Sequence, residues 1–108
     1  MDVKGKIVLA ITTTTQVKIR YYKKAEKKEE EYSVVYPYLL GVNQKGNCVL
    51  SAYYMTENQP IQPNWKTFLL DYIKEVELLD KTFNCTAIGY NKNDVRMKIV
   101  LCKVPKSV

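Results

Sequence analysis

The sequence contains no histidine and only three cysteines, and these absences exclude several kinds of site. Without histidine, the usual proton shuttle of enzymes at neutral pH is missing. Cys48, Cys85 and Cys102 form no Cys-x-x-Cys pair, so a zinc site lacks both its sulfur and its nitrogen ligands. We therefore expect no enzyme, no metal and no cofactor, and three reduced, buried thiols.

Long apolar runs and glycine-rich loops are absent as well. No apolar run approaches the roughly 18 residues that a membrane span needs, and the four glycines form no phosphate-binding loop. The short apolar run after Lys6 lacks the small-residue cleavage site of a signal peptide. We expect a single domain over residues 1–108, located in the cytoplasm and without membrane contact.

What the sequence does contain is a basic excess at its two ends. The net charge of +6 divides into +3 over residues 1–20, −1 over residues 45–81 and +4 from Lys92 onward, while the charges of residues 23–31 cancel. A polyanion should therefore contact the ends of the chain rather than its middle.

Alternation of apolar and polar residues predicts a mainly β protein. In the segment Gln16–Tyr22, Val17, Ile19 and Tyr21 share one face and Lys18, Arg20 and Tyr22 the other. Further strands are predicted over residues 32–40, 48–54, 65–70, 73–79 and 95–104, and Asp71 ends the run that begins at Trp65. Charged or turn-rich loops are predicted over residues 23–31, 56–64 and 84–93.

Three local features refine this prediction. Residues 6–15 contain β-branched side chains that favour a strand, but Ile7, Ala10 and Ile11 give one apolar helical face, and we predict a short helix that the following threonines help to end. Pro37 cannot donate to a β ladder, so it predicts an edge or a bulge. Gly46 predicts a turn with positive φ.

Three motifs resemble those of the WYL domain of bacterial and phage regulators. They are Val35-x-Pro37-Tyr38-x-Leu40, Gly46-x-Cys48-Val49-Leu50-x-Ala52 and Trp65-x-Thr67-Phe68-x-Leu70-Asp71-x-Ile73. The resemblance covers about residues 6–83 and leaves residues 84–108 as an extension. It implies a small SH3/Sm-like β-barrel with a short N-terminal helix, to which the extension adds a C-terminal strand. That strand could cover a barrel edge or pair with another subunit.

The chain departs from the family at the positions that face the ligand. The tripeptide that names the family is Cys48-Val49-Leu50 here, and the arginine of the later motif is Leu69, with Tyr72 at the second arginine position. Leucine cannot replace a guanidinium that binds phosphate as a fork. If Val49 and Leu69 lie on the outer face, they form an apolar protein interface with Tyr72. The alternative is that both residues belong to the ordinary core.

The resemblance implies a regulatory module that binds single-stranded nucleic acid or a nucleotide and stands alone here, since no helix-turn-helix segment fits in these residues. The candidate binding residues combine cations for phosphates with rings for bases. They are Lys18, Arg20, Tyr22, Tyr53, Trp65, Arg96 and Lys98. The alternative is a protein-binding or self-assembling module, such as a small phage-type inhibitor or subunit, that uses Val49 and Leu69. In either case we expect a homo-oligomer, most simply a dimer.

Overall fold

The computed structural model describes residues 1–22, 30–53, 65–83 and 97–105. Within these ranges the chain forms one helix, six strands and one 3₁₀ turn. Their bounds are α1 Val3–Thr12, β1 Thr15–Tyr22, β2 Glu30–Asn43, β3 Cys48–Tyr53, β4 Trp65–Leu69, the 3₁₀ turn Leu70–Tyr72, β5 Ile73–Thr82 and β6 Met97–Lys103. The mainly β fold, the short N-terminal helix and the C-terminal strand are confirmed.

The predicted loops lie almost entirely outside the described residues. The exceptions are Glu30 and Glu31, which belong to β2 rather than to a loop. The longer β2 arises because Glu30 and Glu31 pair with Tyr22 and Tyr21 of β1, so the ladder continues beyond the apolar residues that predicted it.

Helix α1 begins at an N-cap that the sequence prediction missed. The Asp2 carboxylate accepts a hydrogen bond of 2.7 Å from the Gly5 N–H, which satisfies one of the free donors of the first turn. At the other end, the Thr13 hydroxyl donates to the Leu9 carbonyl at 2.7 Å, as expected for threonines that compete with the helix. The predicted apolar face of Ile7, Ala10 and Ile11 is fully buried.

Strand β2 is the centre of the sheet because its two halves have different partners. Residues up to Val35 pair with β1. Residues from Tyr36 to Val42 pair with β3 along one edge, and residues from Leu39 to Asn43 pair with β6 along the other. Pairing with β1 ends at Val35 and pairing with β6 begins at Leu39. Pro37 lies in this interruption, where no donor is needed, and the register with β3 shifts between Pro37 and Leu39. The predicted bulge is therefore confirmed.

The antiparallel sheet follows the order β4-β3-β2-β1-β5, and β6 pairs with β2 beside this path. Among the described strands, no ladder joins β4 to β5, so the sheet is open where β4 faces β1 and β5. A closed SH3/Sm-like barrel stays a prediction. The 3₁₀ turn that connects β4 to β5 follows Leu69 directly, so β4 ends two residues before Asp71, at which the sequence predicts the end of this strand.

Two glycines are required by the geometry of β2 and β3. Gly46 has φ of 85° in the turn before β3, where the Asn43 side chain accepts hydrogen bonds from the Lys45 and Asn47 N–H groups. At Gly41, an added Cβ would lie 2.5 Å from the Ile99 carbonyl oxygen. Only glycine therefore allows β6 to approach β2 this closely.

The core lies between α1 and the inner face of the sheet. Its largest fully buried side chains include Tyr38, Ile19, Leu39, Leu40 and Leu50, and α1 contacts β1, β2, β5 and β6. Each buried aliphatic side chain contributes about 1.5–3 kcal/mol relative to an exposed one. The burial of Val17, Ile19 and Tyr21 confirms the predicted inner face of β1.

Candidate ligand-binding site

The outer face of β1 carries the predicted cations Lys18 and Arg20. The Lys18 ammonium lies 4.9 Å from the centre of the Tyr32 ring on β2. Across the ladder to β5, Lys18 is the register partner of Glu77 and Arg20 that of Glu75. With Tyr32, these four side chains line a shallow recess of about 180 Å³, which we call the outer groove.

Carboxylates on both neighbouring strands surround Arg20. Its Nη1 atom lies 4.0 Å from Glu30 Oε1, and its Nε atom lies 3.7 Å from Glu75 Oε1. Glu30 also accepts a hydrogen bond of 2.8 Å from Lys74, and this bond holds the pKa of the Glu30 carboxyl below its ordinary value. The same contact raises the pKa of Lys74. The basic face that the sequence predicts is thus matched by acidic side chains.

A second recess opens between β4 and β1, and we call it the seam cleft. Its volume is about 140 Å³. Its walls are mostly aromatic and contain one ammonium group; they are formed by Tyr21, Tyr22, Lys66, Thr67, Phe68, Leu69 and Tyr72. Tyr22 is the only one of the seven predicted binding residues among these.

Lys66 is the cation of the seam cleft, and the sequence prediction missed it. Its ammonium donates a hydrogen bond of 2.6 Å to the Tyr21 hydroxyl, which in turn donates one of 3.0 Å to Glu31 Oε2. The ammonium also lies 5.0 Å from the centre of the Tyr21 ring and 5.6 Å from that of Phe68. The two rings meet edge to face at 4.9 Å. Lys66 is therefore held at a defined place by two rings and a hydroxyl.

The signal that could have identified Lys66 is its position in β4. Lys66 and Phe68 are two residues apart, so they lie on the same face of the strand. Phe68 belongs to the buried core, and a lysine on the face of a core phenylalanine needs a partner for its charge. A lysine on an inward face is thus a stronger indication of a site than lysines on the outer face.

The predicted interface residues Val49 and Leu69 are direct partners in the β3–β4 ladder. Val49 is only 3% exposed, so the expectation that it forms part of an exposed apolar patch is wrong. It lies between two ladder partners, Gly41 on β2 and Leu69 on β4, and the 3₁₀ turn contacts its strand. Leu69 and Tyr72 are half-buried and line the seam cleft.

The predicted stacking residues Tyr53 and Trp65 lie elsewhere. They are ladder partners whose rings meet edge to face at 5.4 Å, and Trp65 makes a similar contact of 5.1 Å with Tyr38. Both are half-buried against the core, and neither lines the outer groove or the seam cleft. The structure therefore does not bring them together with Lys18 and Arg20.

The two C-terminal cations also separate from β1. Arg96 lies outside the described residues. Lys98 is exposed on β6, between the partners of Val42 and Asn43, whereas Lys18 pairs with Val34 in the other half of β2. Lys98 and Lys18 therefore do not form one continuous basic strip.

Two further features bear on the kind of site. Cys48 and Cys102 are free and half-buried, and burial raises the pKa of both thiols. Over the ranges that the structure describes, no three histidine, cysteine, aspartate or glutamate side chains are grouped to hold a metal ion. None of the helical segments described here has the length and apolar character to cross a membrane.

Comparison with protein families adds the decisive observation. The model of the WYL domain matches residues 2–78, which is more than half of the chain. The chain belongs to the WYL domain family. The resemblance that we noted over residues 6–83 is thus confirmed, with both of its limits about five residues further toward the N-terminus. Comparison with curated proteins and with solved structures finds no match.

The residues that line the seam cleft can be compared with the positions that the family resemblance associates with a ligand. The resemblance implies that the positions of Val49 and Leu69 face the ligand. Of these two residues only Leu69 lines the cleft, together with Tyr72 at the second arginine position. Val49 is the ladder partner of Leu69 on the neighbouring strand β3. The cleft therefore lies beside one of the two positions that the resemblance associates with a ligand, and its cation, Lys66, stands outside the motif residues.

Proposed function

We propose that this WYL domain is a sensor that binds a nucleotide, or the end of a single-stranded nucleic acid, in the seam cleft. Family membership supports a regulatory or sensor module in general. The observation that supports the cleft is the place of Lys66, whose ammonium lies over the Tyr21 and Phe68 rings in the same recess as Leu69, one of the two positions that the resemblance associates with the ligand.

The chemistry of the cleft suits a phosphate joined to a flat ring. A lysine ammonium binds phosphate as a point charge, which replaces in part the guanidinium fork lost at Leu69. Tyr22 and Tyr72 offer ring faces on which a base stacks, and such stacking contributes about 1–3 kcal/mol per base. Both kinds of contact are available within one recess.

The size of the cleft limits what it encloses. Its volume of about 140 Å³ is less than half of the roughly 300 Å³ at the lower end of sites that enclose a whole small molecule. The cleft therefore holds one base or one phosphate while the remainder of the ligand lies in solvent. This favours a nucleotide or a strand end over a fully enclosed metabolite.

The outer groove supports polyanion binding less well than the sequence suggests. A phosphate that approaches Arg20 has to compete with Glu30 and Glu75, and Lys18 faces Glu77. Contacts there would be weak and salt-dependent. The proposal accordingly moves the principal contact from Lys18 and Arg20 to Lys66. It assigns the protein no catalytic step and places it in the cytoplasm.

A matched pair of variants tests this assignment. Mononucleotides, the corresponding nucleosides and oligonucleotides of four to eight nucleotides would be titrated against wild type, Lys66→Met and Arg20→Met, with tyrosine and tryptophan fluorescence as the readout. We expect Lys66→Met to weaken binding of the phosphorylated probes about tenfold, the effect of one charge-assisted hydrogen bond. Arg20→Met should change affinity less than about threefold.

Two results would contradict the proposal. One is phosphate-dependent binding that Arg20→Met abolishes and Lys66→Met leaves intact, which would return the site to the outer groove. The other is the absence of binding by every probe up to about 1 mM. Equal affinity for nucleosides and nucleotides would remove Lys66 as a phosphate contact.

A further inference from the structure

A chain of two hydrogen bonds connects the seam cleft to the Glu31 carboxylate on β2. The Lys66 ammonium donates to the Tyr21 hydroxyl at 2.6 Å, and this hydroxyl donates to Glu31 Oε2 at 3.0 Å. The ammonium nitrogen and the carboxylate oxygen are therefore at most 5.6 Å apart, the sum of these two lengths. Tyr21 lines the cleft and Glu31 does not. A negative charge thus lies just behind the wall of the recess that holds the ammonium.

The chemistry of the three groups fixes the direction of both bonds. An ammonium only donates hydrogen bonds and an ionised carboxylate only accepts them, whereas a tyrosine hydroxyl does both. The Tyr21 oxygen accepts from Lys66, so its one hydrogen serves a different group, and that group is Glu31. A second acceptor near this hydroxyl therefore competes with Glu31 for the same hydrogen.

The backbone holds Glu31 in this position. Glu31 and Tyr21 are register partners in the β1–β2 ladder, so their side chains lie on the same face of the sheet. The preceding residue, Glu30, is the register partner of Tyr22, and its side chain lies on the opposite face, where it accepts a hydrogen bond of 2.8 Å from Lys74. Of these two neighbouring carboxylates, Glu31 is therefore the one that is connected to the seam cleft.

We propose that Glu31 is an internal competitor of the ligand, and that a phosphate bound to Lys66 replaces its carboxylate as the acceptor of the Tyr21 hydroxyl. The inference rests on the proposed binding of a nucleotide in the seam cleft. A phosphate oxygen lies about 2.8 Å from an ammonium that binds it, and the Tyr21 hydroxyl contacts the same ammonium. The hydroxyl turns toward this phosphate by rotation about its C–O bond, without a movement of the ring.

Glu31 loses this hydrogen bond at low cost. It is half-buried, so water hydrates the carboxylate once the hydroxyl turns away. Tyr21, in contrast, is only 8% exposed, and its ring stays in contact with Phe68 before and after the exchange. The exchange therefore changes the partner of one hydrogen and leaves the packing of the core intact.

The exchange favours a terminal phosphate as the ligand group. A phosphomonoester carries about 1.5–2 negative charges at pH 7 and offers three acceptor oxygens, enough for the ammonium and the hydroxyl together. A phosphodiester inside a strand carries about one charge, the same as the carboxylate that it has to replace. The inference therefore selects a nucleoside monophosphate, or a strand with a terminal phosphate, over an internal or cyclic phosphate.

Removal of the Glu31 charge provides the first test. Glu31→Gln keeps an oxygen that accepts from Tyr21 but removes the negative charge, whereas Glu30→Gln makes the same change at the neighbouring residue on the opposite face. Both variants and wild type would be titrated with adenosine, its 5′-monophosphate and its 3′,5′-cyclic monophosphate, and with the same three forms of cytidine. Tyrosine and tryptophan fluorescence gives the affinities, and circular dichroism establishes that each variant folds.

The response should follow the charge of the probe. Glu31→Gln should tighten binding of the 5′-monophosphates about tenfold and of the cyclic monophosphates about threefold, because the repulsion that it removes scales with ligand charge. The nucleosides should bind within about twofold of wild type, and Glu30→Gln should leave every affinity within about threefold. A purely structural effect of the substitution would instead shift all three forms together.

Tyr21→Phe tests the exchange itself. The variant keeps the ring that packs against Phe68 and removes only the hydroxyl. It should weaken binding of the 5′-monophosphates about fivefold, the net value of one hydrogen bond. Carboxyl-detected NMR of wild type provides a second readout, because saturation with a 5′-monophosphate should shift the Glu31 carboxyl signal and leave that of Glu30 in place.

Lys66→Met separates the possible failures. If the 5′-monophosphates bind wild type and Lys66→Met equally, or bind neither, the proposed function is wrong and this inference is wrong as well. If binding depends on Lys66 but Glu31→Gln fails to tighten it, or the three forms of a probe respond alike, Glu31 is not a competitor and the proposed function stands. If Tyr21→Phe binds the 5′-monophosphates as wild type does, the hydroxyl keeps Glu31 as its acceptor and the exchange is wrong.

Discussion

Arg20 and Lys66 lie at neighbouring places on the molecule, yet their surroundings differ in kind. Arg20 stands on the outer face of β1 between Glu30 at 4.0 Å and Glu75 at 3.7 Å. Lys66 stands at the seam cleft on the hydroxyl and ring of Tyr21 and on the ring of Phe68. Arg20 lies directly beside two carboxylates, whereas the Tyr21 hydroxyl links Lys66 to the Glu31 carboxylate.

This difference shows why the number of basic residues on a strand does not locate a binding site. A ligand phosphate at Arg20 must compete with two carboxylates that neighbouring strands hold in place. At Lys66, two π-faces and the Tyr21 hydroxyl position the ammonium, and the nearby Glu31 carboxylate accepts a hydrogen bond from that hydroxyl. The neighbours of a cation, more than its exposure, therefore decide whether it attracts an anionic ligand.

The largest effect should follow from removal of the Phe68 ring, on which the position of Lys66 depends. Phe68 is buried and contacts Tyr21 edge to face, so Phe68→Ala should lower the free energy of unfolding by about 3–5 kcal/mol. Phe68→Leu keeps most of the volume and should cost less than about half of that amount. Urea denaturation followed by tryptophan fluorescence measures both. A loss below about 1 kcal/mol for Phe68→Ala would mean that this wall of the seam cleft is not rigid.

Much of the fold could be predicted from the sequence because its strands have one buried face. The alternation of Val17, Ile19 and Tyr21 identified β1 and its orientation, and the spacing of Ile7 and Ala10 identified the buried face of α1. Pro37 could be assigned to a bulge because it has no N–H to donate to a ladder, and the register with β3 shifts directly after it. These features depend on local chemistry, which the sequence shows directly.

The candidate site was predicted less well because it depends on contacts between distant segments. Lys66 and Tyr21 are 45 residues apart, and the gap between β4 and β1 that brings them together is a property of the sheet order. The acidic neighbours of Arg20 come from two other strands. Val49 alternates correctly within its strand, but alternation does not show that Gly41, Leu69 and the 3₁₀ turn bury its outer face.

A smaller effect on stability should follow from Lys66→Met, which separates a binding role from a structural one. Methionine keeps the aliphatic length over the Tyr21 and Phe68 rings, and Tyr21 still donates to Glu31. We expect the free energy of unfolding to change by about 1 kcal/mol or less, the usual net value of one hydrogen bond. Thermal and urea denaturation would measure it. A loss above about 3 kcal/mol would instead make Lys66 a structural residue, since removal of one partner of a buried charge pair costs about that much.

Glu75→Gln should alter stability even less while it changes the response to polyanions. Glu75 and Arg20 are both partly exposed, so their contact should contribute less than about 1 kcal/mol. Loss of the carboxylate leaves Arg20 with Glu30 alone among the carboxylates described near it. If Arg20 then contacts a phosphate, the slope of log K against log salt for a single-stranded oligonucleotide becomes more negative by about 0.7. An unchanged slope and affinity would show that carboxylates are not what restrains Arg20.

The smallest effect concerns the Glu30 and Lys74 pair at the edge of the outer groove. The hydrogen bond from Lys74 lowers the pKa of Glu30, so this contact stabilises the fold above the pKa of the unfolded chain. The stabilisation is lost as the pH falls through the lower, folded pKa. Lys74→Met should therefore raise the pKa of Glu30 toward its ordinary value, which a carboxyl-detected NMR titration would show. Val34→Met, on the same sheet but without a charge change, is the matched control and should leave that titration in place. If Lys74→Met also left the Glu30 titration unchanged, Arg20 rather than Lys74 would be the cation that lowers the pKa of this carboxyl. The ion pair between Arg20 and Glu30 would then be stronger than its distance of 4.0 Å indicates.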